Sequence, residues 1–146
     1  MMASAIQVPL VAGYSFEAAP NLADTATRRQ LSPSAVKVFF RIAARWHIRD
    51  EDARQLLGGI SSGSFYSLKK NARVLDQDTL TRISLLVGIF KALNILYSSR
   101  LADAWITLPN TNPMFGGNTP LAYMLRLGLP GMMHVRQLLD ARRGGQ

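Results

Sequence analysis

Hydrophobic residues recur at the spacing of a helix along most of the chain after residue 31. In the first such segment the apolar positions lie three or four residues apart: Val36, Phe39, Phe40, Ala43 and Trp46. Ser32 is suited to cap this helix and Pro33 to occupy its first position, where a missing N–H costs no bond. A second face carries a basic stripe: Lys37, Arg41 and Arg45. The pattern predicts a first helix that begins at Ser32.

Two short helices separated by a glycine turn follow. The second helix runs from Asp50 as its cap to Leu57, before the glycines at positions 58 and 59. The third begins after Ser61 as its cap and ends near Lys70. Its core-facing side chains are three residues apart: Phe65 and Leu68. This arrangement is typical of a helix-turn-helix.

The fourth helix is the longest apolar segment. Asp76 is its expected cap, Leu75 and Leu80 are placed to form a hydrophobic staple, and the apolar pattern continues to about Ser98. It has two apolar stripes, one formed by Ile83, Leu86, Val87, Phe90, Leu93 and Tyr97, the other by Leu85, Ile89, Ala92 and Leu96. A helix that is apolar nearly all round must be buried nearly all round. One stripe can cover the N-terminal helices, and the other can meet the C-terminal unit or a second copy.

The rest of the chain predicts three shorter helices and no strand. They cover residues 101–106, 120–127 and 132–143, with Gly128 between the last two. The fold class is therefore all-α, with an N-terminal helix-turn-helix bundle, a long central helix and a small C-terminal helical domain. Residues 1–27 show no sustained period and are interpreted as a tail, followed by units over residues 28–98 and 99–146.

Composition indicates a folded protein outside the membrane. Hydrophobic residues make up 48% of the 146 positions and charged residues 18%, which is too apolar for a wholly disordered chain. No apolar run approaches the roughly 18 residues of a membrane-spanning helix, and the N-terminus lacks the basic start of a signal peptide. The chain has no cysteine, which fits a reducing compartment. We expect a cytoplasmic protein.

The positive charge is concentrated in one part of the chain. The formal net charge is +8, and residues 28–73 hold ten of the seventeen Lys and Arg residues but only three of the nine acids. Such a segment is the footprint expected for an anionic partner, of which nucleic acid is the commonest. The charge alone is explained nearly as well by a solvent-exposed surface that binds no anionic partner.

The stretch NPMFGGNTP, residues 112–120, raises the possibility of a phosphate-binding loop. Glycines before a helix can expose amides to an anion, but no lysine follows Gly117 as in a Walker loop, and no strand precedes the stretch. The alternative is a turn that starts a helix, with Thr119 as cap and Pro120 at the first position. The pattern favours the turn.

Catalytic chemistry has little support. The two histidines, His47 and His134, lie on separate helices, and no hydrolase or metal-binding signature is present. The acids at positions 50–52 are suited to a helix N-terminus. We therefore predict a protein that is not an enzyme and that binds neither metal nor cofactor.

A DNA-contacting surface is better supported. The outward residues of the third helix and its flanks are short polar, aromatic or basic, as needed to hold phosphates and reach base edges. The candidates are Ser61, Ser62, Ser64, Tyr66, Ser67, Lys69, Lys70 and Arg73. The alternative is a three-helix core with a polar exterior.

Several blocks in order resemble one known family over residues 30–145. LLGGISSGSFYSLKK, LDQDTLTRISLLVGIFKALNILY, ADAWITLPNTNPMFGG, TPLAYML and VRQLLDARRGG are similar to the Xre/MbcA/ParS family of type II antitoxins. The resemblance implies a helix-turn-helix that binds its own operator, double-stranded DNA, and a C-terminal domain that binds a toxin. In this family the toxin is usually a RES-domain enzyme that consumes NAD, and the antitoxin occludes its active site.

The resemblance also assigns residues. The toxin-binding candidates are Pro113, Phe115, Gly116, Gly117 and Pro120 in the loop block, with Arg136, Arg142 and Arg143 in the final helix. The arginines suit a site built for an anionic dinucleotide, although cations are also favourable at any helix C-terminus. The long middle helix is often a dimerisation element, which assigns Leu85, Ile89 and Leu96 to a homodimer.

Three hypotheses for the function follow. The first is a dimeric antitoxin that inhibits a RES-domain toxin by direct contact and represses its own operon. The second is a free-standing helix-turn-helix regulator whose C-terminal domain senses a protein or a ligand. The third, which the missing lysine after Gly117 disfavours, is an enzyme that binds a nucleotide at the FGGNT loop.

Overall fold

The computed structural model describes residues 20–71 and 73–144, and the regular secondary structure of these residues is entirely helical. The helices are α1 (Thr25–Arg45), α2 (Asp50–Leu56), α3 (Ser62–Lys70), α4 (Gln77–Leu96), α5 (Ser99–Ala104), α6 (Pro120–Leu127) and α7 (Leu129–Arg143). Short 3-10 turns cover Trp105–Thr107 and Pro113–Phe115. The all-α prediction is confirmed.

The first helix begins earlier than the sequence pattern predicted. Its cap is Asp24, whose carboxylate accepts the amide of Thr27, and Pro33 lies inside the helix. Ser32 is buried rather than capping: its hydroxyl donates to the carbonyl of Arg28 and accepts the amide of Leu75 at 2.9 Å. Ser32 thus ties α1 to the segment before α4, and this long-range bond could not be read from the local Ser-Pro signal.

Other helix boundaries follow the local signals. Asp76 accepts the amide of Thr79 at 2.8 Å, and Thr119 caps α6 through the amide of Ala122. Gly58 follows α2 with a positive φ of 102°, as expected for a glycine beyond a helix end. Two predictions were wrong. Asp50 is the first residue of α2 rather than its cap; the capping position is Arg49, which makes no side-chain capping bond but pairs with Asp52 at 3.2 Å. The last helix, α7, starts at Leu129 instead of Met132.

The central helix α4 packs between α1 and α7. Ile89 and Ala92 of the second apolar stripe are fully buried within the chain, whereas Leu85 and Leu96 of the same stripe are half-buried. Among the described residues, Gln77–Leu96 is the one helix long and apolar enough to span a membrane, with a mean hydropathy of 1.5. This corrects the expectation that no segment approaches that length. The buried core position explains the apolar composition.

The C-terminal helices form a close pair beside α4. Gly128, with φ 65°, ends α6 and precedes α7 directly. Gly131 faces the turn of α6 above it, where an added Cβ would lie 3.2 Å from the carbonyl oxygen of Tyr123. The absence of a side chain at this position lets the two helices approach, and α7 then packs along α4.

Candidate functional site

The turn between α2 and α3 is held by hydrogen bonds to its backbone groups. The amide of Gly59 donates to the carbonyl of Arg54 at 2.9 Å, and the Arg54 guanidinium donates to the carbonyl of Ile60 at 3.2 Å. Ser61 accepts the amide of Ser64 at 3.1 Å and so starts α3. Phe65 and Leu68 are buried as predicted. A rigid helix-turn-helix therefore presents the opposite face of α3 to solvent.

The residues predicted to contact DNA lie on this exposed face. Ser64 is half-buried, and the others are exposed: Ser61, Ser62, Tyr66, Ser67, Lys69, Lys70 and Arg73. Tyr66 keeps 48% of its surface accessible, which is high for an aromatic residue on a short helix. The structure thus brings these residues together on one surface, which we call the α3 face.

Asp50 adds a carboxylate to the α3 face. Its Oδ2 accepts the Tyr66 hydroxyl at 2.9 Å, and its Oδ1 lies 3.2 Å from the Lys69 ammonium. The hydrogen bond from Tyr66, followed by that from Lys69, lowers the pKa of Asp50. The same bond to Asp50 raises the pKa of Tyr66. Sequence reasoning missed this role because the partners lie 16 and 19 positions away.

Lys69 also lies among three aromatic rings. Its Nζ is 5.0 Å from the ring centre of Phe65, 5.2 Å from that of Tyr66 and 5.7 Å from that of Phe40. These distances are within the range of cation–π attraction. The ammonium is therefore held in place from below by rings and from the side by Asp50.

A groove of about 610 Å³ separates α1 from α3. Its floor is apolar, and four cations line it: Lys37, Arg41, Lys69 and Lys70. The third member of the predicted α1 stripe is held elsewhere, since Arg45 pairs with Asp103 at 3.0 Å. The positive charge of α1 and α3 thus converges beside the α3 face.

Residues 110–118, which we call the FGG loop, form a turn that is held by its own hydrogen bonds. Asn112 caps its 3-10 turn by accepting the amide of Met114 at 3.0 Å, and the amide of Gly116 donates to the carbonyl of Pro113. Gly116 and Gly117 have φ of 58° and 85°, a conformation that favours glycine. The loop ends are joined by a bond from the Asn110 amide to the Asn118 carbonyl at 3.2 Å. These contacts are those of a shaped turn rather than an anion cradle.

The predicted loop residues divide into a buried and an exposed group. Phe115 is 1% exposed and stacks edge-on against Trp105 and Tyr123, and Pro120 is also buried. Their side chains shape the loop from inside. Pro113, Gly116 and Gly117 are exposed, so a partner on this loop would touch these three and the neighbouring Leu108, which is 45% exposed. Leu108 had no sequence signal that set it apart from core leucines.

The three predicted arginines of α7 have different surroundings. Arg136 pairs with Asp140 at 2.9 Å and crosses over Gly88 of α4, where an added Cβ would overlap its guanidinium. Arg142 donates to the Tyr97 hydroxyl at 3.1 Å and, with Leu108, Asn110 and others, lines a small pocket of about 240 Å³. Arg143 is exposed, 3.9 Å from Asp140. The end of α7 therefore adjoins the FGG loop, and we call Leu108–Thr111 with Arg142 the C-terminal face.

The residues predicted for dimerisation are not equally accessible. Ile89 is fully buried within the chain and has no surface to offer a second copy. Leu85 and Leu96 are half-buried, and the most exposed apolar residue of α4 is Ile95, at 63%. A contact between copies on α4 would therefore centre on these three residues.

The two histidines lie in separate parts of the fold, His47 just after α1 and His134 within α7. His134 Nδ1 lies 2.7 Å from the Tyr123 hydroxyl. His47 ends α1 in a left-handed conformation, with φ 55°. In the part of the chain that the structure describes, no three His, Asp or Glu side chains are grouped as metal ligands would be.

Comparisons with known proteins match two antitoxin domains to this chain. A family model for the antitoxin Xre-like helix-turn-helix domain matches residues 23–88, and one for the antitoxin Xre/MbcA/ParS C-terminal toxin-binding domain matches residues 92–145. The chain is also 40% identical over 114 residues to "Uncharacterized protein y4oB" of Sinorhizobium fredii (strain NBRC 101917 / NGR234). That alignment covers 77% of this chain and 87% of the relative. The two family matches meet within α4.

Proposed function

This chain belongs to the Xre/MbcA/ParS family of antitoxins, and from that membership we propose how it acts. It binds a cognate toxin of the RES-domain, NAD-degrading class, covers the toxin's active site, and represses its own operon by binding operator DNA. It is a non-enzymatic, cytoplasmic regulator. The observation that carries the proposal is the match of residues 92–145 to a toxin-binding domain, combined with the place of α7 beside the FGG loop.

The C-terminal face supports the inhibitory role. Leu108 offers an exposed apolar anchor, and Arg142 and Arg143 place two cations near the end of α7. An enzyme that consumes NAD must attract an anionic dinucleotide, so its active site is suited to guanidinium groups, which can bind anions through two parallel bonds. Arg142 is held by Tyr97, which limits the conformational entropy lost on binding.

The α3 face supports the DNA-binding role. Its exposed serines can donate to phosphate oxygens, and the four cations of the neighbouring groove can displace counterions from a DNA backbone. Two copies are needed to bind the two halves of a palindromic operator. We therefore extend the proposal to a homodimer.

The first experiment is co-expression with the neighbouring reading frame. Growth and cellular NAD are followed in cells that express the neighbour alone or together with this chain. We expect toxicity and NAD loss that the full chain reverses and that a variant ending at Leu127 does not reverse. If the neighbour is toxic and the full chain neither rescues growth nor co-purifies with it, the inhibitory role is wrong.

A point variant locates the contact. Leu108→Asp introduces a charge on the C-terminal face and should abolish co-purification with the toxin. Leu101→Asp is the matched control, because Leu101 is similarly exposed, at 40%, on α5. Equal loss in both variants would contradict a contact centred on Leu108.

The second candidate function is a free-standing regulator. It shares the DNA-binding surface, and the pocket beside Arg142 would then hold a ligand or a different protein. No toxicity of the neighbour together with operator binding by this chain would favour it.

A further inference from the structure

Asp50 joins two helices of the helix-turn-helix. It lies at the start of α2, yet both of its carboxylate oxygens bind donors on the α3 face: the hydroxyl of Tyr66 and the ammonium of Lys69. Those donors are among the groups that DNA binding would use. The carboxylate is half-exposed, at 50%, and so it is open to whatever approaches that surface.

We propose that Asp50 is a specificity-determining residue, which holds Tyr66 and Lys69 away from DNA phosphates and so suppresses binding to duplexes of arbitrary sequence. The proposal rests on the DNA-binding function proposed above. It goes beyond that function by assigning a negative determinant to the surface.

The argument begins with what non-specific binding needs. Affinity for arbitrary DNA comes from cations and neutral donors that contact phosphates. The charge of Lys69 is partly neutralised by Asp50, so a phosphate that approaches this ammonium also approaches the carboxylate. Tyr66 has a single hydroxyl hydrogen, so it can donate to a phosphate only by breaking its 2.9 Å bond. Either contact leaves a carboxylate beside a polyanion. The aromatic rings around Lys69 hold the ammonium within reach of Asp50 and so maintain this competition.

The same carboxylate can be accommodated at a matching site. An aspartate in the major groove can accept a hydrogen bond from the amino group of cytosine. Where the duplex offers such a donor, Asp50 is satisfied, and Tyr66 and Lys69 become available. By restraining Tyr66 and Lys69, Asp50 lowers the affinity of the protein for every DNA duplex, and it lowers the affinity for mismatched sequences most.

The test uses Asp50→Asn, which keeps the shape and removes the charge. The probe is a random-sequence duplex of about 30 base pairs, or about three helical turns, with affinity measured across a salt series. We expect binding about fivefold to tenfold tighter near 0.1 M salt, and a salt slope steeper by about one, because one phosphate contact is added. Binding that is unchanged or weaker would overturn the proposal.

Glu51→Gln is the matched control. It makes the same change of charge at the adjacent exposed position, where the described residues give Glu51 no hydrogen bond or ion pair. We expect Glu51→Gln to raise the affinity for the random-sequence duplex by less than half as much as Asp50→Asn does. Equal gains in the two variants would mean that net charge alone is responsible, and would overturn the specific role of Asp50.

Lys69→Gln separates restraint from charge by a double-mutant cycle. In the native background Lys69 is already held by Asp50, so its loss should weaken random-duplex binding less than about twofold, whereas in the Asp50→Asn background it should remove most of the gain. Equal effects in both backgrounds would overturn the proposal. If Asp50→Asn fails to fold, Lys69→Gln in the native background still tests the proposal, because a loss of random-duplex affinity greater than about twofold would contradict it.

A readout without DNA checks the contact itself. The bond to Asp50 raises the pKa of Tyr66, so ultraviolet titration of tyrosine ionisation, referenced to Tyr66→Phe, should show that pKa falling in Asp50→Asn. If the pKa falls but no form of the protein binds duplex DNA, the proposed DNA-binding function fails and the restraint fails with it. If the native protein binds DNA and only the restraint tests fail, the proposed function stands alone.

Discussion

His47 adopts a backbone conformation that costs free energy. Its φ of 55° is in the left-handed region, and its amide donates to the carbonyl of Ala44 while the amide of Ile48 donates to that of Ala43. This pair of bonds is the Schellman arrangement, in which the left-handed position is usually glycine. The histidine therefore marks the sharp end of α1.

Replacing His47 by glycine should stabilise the protein. Glycine enters the left-handed region without the strain of a Cβ, so we expect His47→Gly to raise the free energy of unfolding by about 0.5–1 kcal/mol. Thermal unfolding followed by circular dichroism measures this. His47→Ala is the control, because alanine keeps the Cβ and should give no such gain. A lower melting temperature for His47→Gly would show that the imidazole has a packing role.

At the scale of elements, the start of α4 depends on a single carboxylate. Asp76 accepts the amide of Thr79, and this bond lowers the pKa of Asp76. A carboxyl group whose pKa is lower in the folded state than in the unfolded state stabilises the folded protein. This stabilisation is complete above the pKa of the unfolded state, about 3.9, and is lost as the pH falls through the pKa of the folded state. The contribution of Asp76 should therefore be complete at neutral pH and decline in acid.

Asp76→Ala tests this cap. We expect a loss of about 1 kcal/mol at pH 7, and a smaller difference from the native protein below about pH 4. Denaturant unfolding at several pH values measures both. Asp76→Asn should retain most of the stability, since asparagine also caps helices. A cost for Asp76→Ala that is independent of pH would contradict the role of the charged form.

Where α4 packs against α7, the side chain of Arg136 lies over Gly88. The guanidinium lies where a side chain at position 88 would be, and it is held by Asp140. Because Arg136 is long and flexible, Gly88→Ala should displace it without breaking the helix pair. The free energy lost with the contact between Arg136 and position 88 is offset by the higher helix propensity of alanine, which is worth about 1 kcal/mol relative to glycine.

We therefore expect Gly88→Ala to change stability by less than about 1 kcal/mol while reducing toxin binding to the extent that Arg136→Ala does. The double variant should add nothing to either single variant, as measured by calorimetric titration. Gly63→Ala is the control for propensity, since its added Cβ would meet only the Ser61 hydroxyl at 4.0 Å. A large loss of stability in Gly88→Ala would instead indicate that the helices must separate.

At the scale of the whole molecule, α4 contributes to the core and also carries the apolar surface that we propose for contact with a second copy. Its inner residues are used within the chain, which leaves Leu85, Ile95 and Leu96 at least partly exposed. We expect Ile95→Asp to convert a dimer to a monomer in sedimentation experiments. Lys91→Asp, at an exposed position on the same helix, should not. A dimer that survives Ile95→Asp would exclude a contact centred on this residue.

The sequence by itself determined the helical class and most helix boundaries. Caps such as Asp76, Ser61 and Thr119 act on amides three residues away, and the buried positions of α3 follow from a spacing of three. Such interactions are local, so they can be read from a short window of sequence. The ordered blocks also identified the family, because several distinct motifs matched in sequence order.

Only the tertiary structure decided how distant residues are used. Ser32 and Pro33 look like a helix start, but Ser32 bonds to Leu75, and α1 continues through both. Asp50 looks like a cap, but its partners come from α3. Ile89 is apolar like Leu85 and Leu96, but of the three only Ile89 is completely buried in the folded chain. In each case the deciding contact joins residues more than ten positions apart, and sequence spacing carries no information about which of them meet.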